Sequence, residues 1–550
     1  MKIWMKNIFN TILFFFSFLA IAQDVGFSNV LDAVYPDVNK TKFPKSYTIN
    51  TAKNTSVDVN LIVYSNLNSI VEVNYQSPTI NKVDLSEVLA VPVEQNTGLD
   101  SRTEQFKGLI NPHVIRRAPF EIFEVIKPLN SKSIITKTNY SLINIKIPIE
   151  KDLVVKNHKV DFKILINGIP YNLKLKINIY DTLIPNLDSS NFFYTNWFNL
   201  SKMEEYHNLT RWSSKWYIML DKYAKMMASG RQNCVKIPGE LINLKDGENF
   251  LDEEKMLSFV NVFLKYGFKY FESPHLLGRG KNDDWGNPEL ITKLRNVGYY
   301  TDEGKNEIEI VTKKIKKFTE KYNLTKQWLQ HIADEPTSVN AKCYSDVSMQ
   351  IKTIYPEIKI MEATNTRESL GNAIDIWCPI INDFQENEDF FRSREKLGEK
   401  VLVYTCLVPG GKWLNRTLDM EKIRQVYFGW GGSKYNTMGY LHWGLNQYKA
   451  DPFNQSVIKH PSPIAGPNNF LPAGDTHVIY PGEEGPLSSL RFEAHRIGCE
   501  DYELLEMLKK IDFDFHKKII DKIFINYTTY STSLKKYKRI KKRILKTVSL

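Results

Sequence analysis

At 550 residues, with 42% hydrophobic and 12% aromatic side chains spread throughout, the chain has material for two or three domains and is too apolar for a disordered polymer. Its net charge of +11 comes largely from dispersed lysines, so no nucleic-acid partner is expected. Five scattered cysteines, Cys234, Cys343, Cys378, Cys406 and Cys499, fit neither a disulfide framework nor a zinc-ligand spacing, and most read as small buried hydrophobes.

Lys2 and Lys6 precede an apolar run from Ile12 to Leu19, and Ala20-Ile21-Ala22 follows, the pattern of an export signal (residues 1–22) cleaved before Gln23. The run is shorter than the roughly 20 apolar residues of a membrane span. No cysteine stands at the cleavage point for lipidation. The expectation is export to periplasm or medium with no lasting membrane anchor.

From 23 to 187, short runs such as "DVNLIVYS" (Asp58 to Ser65) and "YNLKLKINIY" (Tyr171 to Tyr180) alternate apolar and polar residues between Asn, Ser, Gly and Pro. That period predicts an antiparallel β-sandwich, an accessory module for packing or carbohydrate contact. After Pro185 to Asn191 the pattern changes to strands alternating with amphipathic helices over 188–511. The candidate strands are Phe192–Phe198, Asn233–Gly239, Lys269–Leu276, Gln327–Asp334, Lys359–Asn365, Ile374–Ile380, Val401–Leu407 and Met438–Asn446. Helical patterns over Trp212–Ala228, Asp252–Gly267 and Asn306–Tyr322 lie between them. About eight strands suit a (β/α)8 TIM-like barrel, with active-site residues at the C-terminal strand ends. A doubly wound sheet finds no support, because no Gly-rich phosphate loop follows any strand. An irregular insert near 452–487 precedes a closing helix, Ser488 to Ile511, and 512–550 forms a basic helical extension. In its "LKKYKRIKKRILK", Leu534 to Lys546, a solvated helix face is favoured over a polyanion or membrane contact.

On the fourth strand "LQHIADEP" sets Asp334 and Glu335 side by side where an apolar run stops. Helix capping would explain many such pairs; a barrel rim favours chemistry. Glycoside cleavage needs an acid for the leaving oxygen and a second group to stabilise the oxocarbenium ion, commonly a carboxylate about 5 Å away in retaining enzymes. The strand "VLVYTCL" expected opposite ends with Tyr404, Thr405 and Cys406 and offers none. Adjacent acids suit substrate assistance, in which the sugar's own 2-acetamido oxygen attacks the anomeric carbon. Glu335 would then be acid and later base, and Asp334 would hold the acetamide N–H. Asp334 and partial burial would keep Glu335 protonated near neutral pH.

"HIADEP" (His331 to Pro336), "YLHWGLNQYKADPF" (Tyr440 to Phe453) and "HVIYPGEEGPLSSLRFEAHRIGCEDYELL" (His477 to Leu505) together resemble glycoside hydrolase family 123. The resemblance spans about Phe192 to Leu508. It implies an N-terminal β-sandwich, a (β/α)8 barrel and an exo-acting, retaining, substrate-assisted β-N-acetylgalactosaminidase, with Asp334 orienting the acetamide and Glu335 as acid/base. The motif is also similar to the His-x-x-Asp-Glu pattern of family 20 hexosaminidases. Those enzymes usually carry Gly-Gly where this chain has Ile332 and Ala333, which leaves family 123 ahead.

A sugar pocket needs an aromatic floor and polar rim groups. Trp197, Trp377 and Trp443 lie near strand ends, with Trp443 favoured because His442 and Asn446 flank it. Tyr404 is a candidate donor to the acetamide oxygen, and His275 a candidate for a hydroxyl at the nonreducing end. Glu272, Glu362 and Asn365 rank lower. The loop Gly278 to Pro288 offers Trp285. No cofactor is expected, and no His/Asp/Glu cluster at ligand spacing argues for a metal. Two other functions stay open: a glycosidase for non-acetamido sugars using Glu335 with Glu362 or Asp383, and a noncatalytic glycan-binding protein.

Overall fold

The computed structural model describes residues 23–37, 42–100, 102–280, 284–461 and 466–549. The expected export segment lies outside them. From Asp24 to Leu183 the alternating runs form strands of a seven-stranded and a five-stranded sheet. Alternation sends one face inward: along Asn157–Ile166, His158, Val160, Phe162, Ile164 and Ile166 are buried while Lys159, Asp161 and Asn157 are exposed. Val59, Leu61, Ile143, Ile145, Phe162, Ile164, Leu175 and Ile177 pack together as the core of this β-rich region.

The seven-stranded sheet is not built from the N-terminal residues alone. A hairpin of Tyr480–Gly482 and Gly485–Ser489 adds its last two strands, with Ser488 opposite Ile126 and Ser489 opposite Val125. The closing helix Leu490–Ile511 starts directly afterward, its first turn capped by Ser489 accepting from Phe492 N. Buried ion pairs fasten that helix to the same sheet: Arg491 Nε donates to Glu124 at 2.6 Å, and Arg496 donates to Asp58 at 2.6 Å. Gly429, in the helix Ile423–Tyr435, allows close approach to the closing helix, since a Cβ there would lie 1.9 Å from Gly498 O.

The middle of the chain forms parallel strands. One sheet runs in the order Cys234–Lys236, Tyr270–Glu272, Trp328–Gln330, Lys359–Ala363, Ile376–Cys378, Lys400–Val401. A second runs Phe193–Asn196, Gly439–His442, Val403–Thr405. Only Leu402 separates Val401 from Val403, so the two arcs meet along one strand. At the other ends Asn233 N donates to Tyr194 O at 3.1 Å, and Tyr194 N donates to the Asn233 side chain at 3.0 Å. Phe193, Cys234, Leu329, Met361, Cys378, Leu402, Tyr404 and Leu441 form an apolar cluster drawn from nearly every strand, with half-buried Tyr270 against it. The arrangement is an α/β fold with parallel sheets.

Each expected strand is present but shorter, because its C-terminal part leaves the ladder as a loop. Asp334 and Glu335 therefore stand beyond the last ladder residue, Gln330, and not on the strand itself. The expected helices appear as Ser214–Ser229, Glu253–Leu264 and Asp302–Lys321, capped by Ser213, Asp252 and Thr301.

The segment after 511 is less uniformly helical than expected: helices Phe513–Asp521 and Leu534–Val548 flank a hairpin of Phe524–Asn526 and Thr529–Tyr530. The basic helix buries Tyr537, Ile540, Ile544 and Leu545 and exposes Lys535, Arg539, Lys542, Arg543 and Lys546. Among the described residues no helix is long and apolar enough to cross a membrane. All five cysteines are free, and all but half-buried Cys406 are buried.

Candidate active site

Three strand ends build the floor of the site. His331, just past Trp328–Gln330, is fully buried, with Nδ1 3.0 Å from Glu362 Oε1 and Nε2 3.0 Å from Glu272 Oε2. Glu272 ends the Tyr270–Glu272 strand and also accepts from Trp197 Nε1 at 2.9 Å and Cys234 Sγ at 3.2 Å. Glu362 Oε2 accepts from Ile332 N, Ala333 N and Tyr344 OH at 3.1, 3.3 and 3.1 Å. Burial alone would lower the His331 pKa, but the Glu362 charge and the hydrogen bonds His331 donates to both carboxylates raise it to about 9. Burial likewise works against Glu272 and Glu362, and the imidazolium prevails, holding each at about 2. His331 is thus a cation clamped between two anions.

Four residues on, the backbone turns. Glu335 has φ 44°, a left-handed conformation that non-glycine residues seldom adopt and that recurs at functional sites. Neighbours hold the turn: Arg279 donates to Asp334 O, Thr364 Oγ1 donates to Pro336 O at 2.9 Å, and Thr337 N donates to Asn340 Oδ1 at 2.8 Å. Across from it, Tyr404 OH donates to Glu335 Oε1 at 2.9 Å. The Glu335 pKa is raised, first by burial and then by the Asp334 charge, with the Tyr404 hydrogen bond opposing both. An acid whose pKa is raised beside an adjacent, 44% exposed carboxylate side chain suits protonation of a leaving oxygen.

His275 joins this group, its Nε2 3.5 Å from Glu362 Oε1 and 3.9 Å from Asp334 Oδ1. A polar cavity of about 200 Å³ opens beside it, lined by His275, Leu277, Gly278, Arg279, Lys293 and Asp334. His275, His331 and Glu362 present ligand-type atoms within 4.8 Å of one another, so a cluster exists where the sequence suggested none. Both nitrogens of His331 are engaged by carboxylates, however, and the protonated ring offers no lone pair to a metal.

Trp197 lies half-buried at this floor, edge-on to His275 and His331. Trp285 is 44% exposed with the Arg279 guanidinium 3.6 Å from its ring centre, and Thr337 Oγ1 donates to its carbonyl at 3.3 Å. Residues 281–283 of its loop lie outside the description.

The last parallel strand corrects two expectations. Leu441 pairs with Tyr404 in register and shares its interior cluster, so alternation sends Tyr440 and His442 the other way. Tyr440 stacks on Phe428 and His495 of the flanking helices. His442 is fully buried, accepts from Gly444 N at 3.0 Å, faces Asp475 at 3.3 Å, and is held neutral by burial, so it is no rim group. Asn446 is buried with its amide bound to both backbone groups of Asn199, at 2.7 and 2.9 Å, so it ties two loops together. Trp443 is half-buried next to His442. Among the described residues, no hydrogen bond, ion pair or ring contact joins these three to Asp334 or Glu335.

Trp377 also faces the helices, against Phe390 and Phe391. Asn365 Oδ1 accepts from Ile380 N at 3.4 Å. Lys236 and Arg279 belong to the site and escaped sequence reasoning. Lys236 ends the second parallel strand, a position that could have drawn notice.

A family model described as the catalytic domain of glycoside hydrolase 123 matches residues 282–508. Among solved structures, a family 123 glycoside hydrolase from Clostridium perfringens, described for glycolipid glycan hydrolysis, aligns over 96% of this chain and 97% of its own, with TM-score 0.70 and 14% identity. An endo-beta-1,4-mannanase from Thermotoga petrophila aligns over 58% of this chain and 78% of its own, with TM-score 0.34 and 11% identity. No curated protein matches the chain by sequence.

Proposed function

We propose that the chain, whose residues 282–508 match the glycoside hydrolase 123 catalytic-domain model, is an exported, retaining exo-glycosidase that releases terminal β-linked N-acetylhexosamine by substrate assistance. N-acetylgalactosamine is the favoured sugar. The glycolipid glycan named for the Clostridium perfringens protein supplies a natural test substrate. We read the two parallel arcs as one (β/α)8 barrel, with the β-rich region as its N-terminal partner and residues 1–22 as the export signal.

In this mechanism the acetamide carbonyl oxygen attacks C1 while Glu335 gives its proton to the departing oxygen. Asp334 holds the acetamide N–H and stabilises the positive charge of the oxazolinium ring. Glu335, now anionic, takes a proton from water as that water opens the ring at C1. Two inversions leave the anomeric configuration unchanged.

The observation that carries this reading is a mostly buried Glu335 beside Asp334, its pKa raised by that burial and by the Asp334 charge, with no spare carboxylate among the described residues of the floor. Glu362, the alternative nucleophile, is fully buried and bound to His331, Tyr344 and two backbone amides. Asp383, the other alternative, pairs with Arg367 and accepts from Asn387 Nδ2 at 3.0 Å. The family match sets aside a purely glycan-binding role.

Hydrolysis of aryl β-N-acetylgalactosaminide, β-N-acetylglucosaminide and plain β-galactoside by the mature protein, with Glu335→Gln as control, tests the proposal. Cleavage confined to acetamido sugars and lost in the control is expected. Cleavage of the galactoside at a matching rate would overturn it.

A further inference from the structure

Lys236 lies half-buried at the end of its strand, its Nζ 4.2 Å from the centre of the Trp197 ring and 3.3 Å from His275 Nδ1. An ammonium has donors and no acceptor, so Nδ1 of His275 must carry the lone pair and Nε2 the hydrogen. That Nε2 is buried and makes no well-formed hydrogen bond: Glu362 Oε1, at 3.5 Å, is a contact at the outer limit, and Asp334 Oδ1 lies at 3.9 Å. A buried donor left unsatisfied is costly and marks a group waiting for a partner. The Glu362 carboxylate already accepts from His331 Nδ1, Ile332 N, Ala333 N and Tyr344 OH, whereas among the described residues no hydrogen bond reaches the half-exposed carboxylate of Asp334.

We propose that His275 is a positioning residue for Asp334, its tautomer fixed by Lys236, and that its Nε2–H closes onto Asp334 Oδ1 when substrate fills the site. The proposal rests on the substrate-assisted reading above. A carboxylate held through one oxygen presents the other to the acetamide N–H at a set angle, which is the alignment that intramolecular attack demands. A neutral imidazole serves better than a cation here, since it orients Asp334 without cancelling the charge that must face the oxazolinium.

The surroundings favour the neutral form. Burial, Lys236 and the His331 cation lower the His275 pKa, against the carboxylates of Glu362 and Asp334. Burial, with Lys293, lowers the Lys236 pKa, and the carboxylates of Glu272, Asp334 and Glu362 oppose that shift in favour of the charged form. Arg279 and Glu335 complete the charged and titratable groups around Asp334.

Three variants test the device. His275→Phe keeps a ring and removes the donor, Lys236→Met keeps the chain along Trp197 and removes the tautomer control, and His275→Gln supplies an N–H near the Nε2 position that cannot titrate. Each is measured for KM and kcat on an aryl β-N-acetylhexosaminide and for inhibition by a thiazoline analogue of the cyclised intermediate. His275→Phe and Lys236→Met should lower kcat by about 10- to 100-fold and weaken thiazoline binding by a similar factor, with KM nearly unchanged. His275→Gln should recover most of both. Should His275→Phe fail to fold, the contrast between Lys236→Met and His275→Gln still decides. Thiazoline affinity unchanged in the variants, or His275→Gln as impaired as Lys236→Met, would overturn the positioning role alone. A wild-type enzyme indifferent to the thiazoline would overturn the substrate-assisted reading beneath it.

Discussion

Tyr404 and Glu335 meet at 2.9 Å, the phenol donating to the carboxyl oxygen from the strand that adjoins both parallel arcs. The contact favours the ionised acid and so opposes the burial and the Asp334 charge that raise the Glu335 pKa. Tyr404→Phe should move the alkaline limb of the kcat/KM profile to higher pH and reduce its plateau by about tenfold, the worth of one charged hydrogen bond. A limb that stays put would show that another group sets it.

Glu335→Gln should cost about 10²- to 10⁴-fold in kcat on unactivated substrates, the usual contribution of a general acid. The same variant should be more heat-stable than wild type at neutral pH. A carboxyl whose folded pKa is raised costs no stability below its unfolded value; the cost grows as pH climbs from that value to the folded one and is constant above it. The gain should therefore vanish in acid, and paired melting curves across pH would reveal a gain that persists there.

Asp334→Asn removes the anion that faces the acetamide and also the charge that lifts Glu335. It should lower kcat by at least about 100-fold and shift the remaining alkaline limb to lower pH, the reverse of Tyr404→Phe. Equal displacement in both variants would contradict the assigned causes.

His331→Gln leaves Glu272 and Glu362 buried without their cation and should cost about 3–5 kcal/mol of unfolding free energy. In the wild type, the His331 contribution is fully present below its ordinary pKa of 6.5 and is lost as pH rises through about 9. The two carboxylates contribute above their ordinary 4.5 and lose that contribution as pH falls through about 2. Denaturant titrations should find the variant's deficit largest between those limits.

Much of this was readable from the chain. Short apolar runs mark the parallel strands, and the Asp334–Glu335 pair is conspicuous because charges seldom end such a run. The direction of the Glu335 shift followed from adjacency and partial burial. Which side of a strand a residue faces was harder to read: His442 and Trp377 carry the local signal of rim residues, yet strand alternation directs them to the helices. Lys236 was missed because its partners, Trp197 and His275, come from other strand ends and meet it only in three dimensions.

The pairing of Ser488 and Ser489 with Ile126 and Val125 has a consequence for synthesis. A ribosome delivers the strand Phe120–Pro128 long before its neighbour exists, so one of its edges offers unpaired amides and carbonyls until the Gly485–Ser489 strand emerges. Nascent chains halted before that point should be sticky, and the N-terminal β-rich region expressed alone should carry the same open edge. It belongs to the enzyme as a keystone belongs to an arch, and grafting it elsewhere as a detachable tag would mean supplying the missing hairpin too.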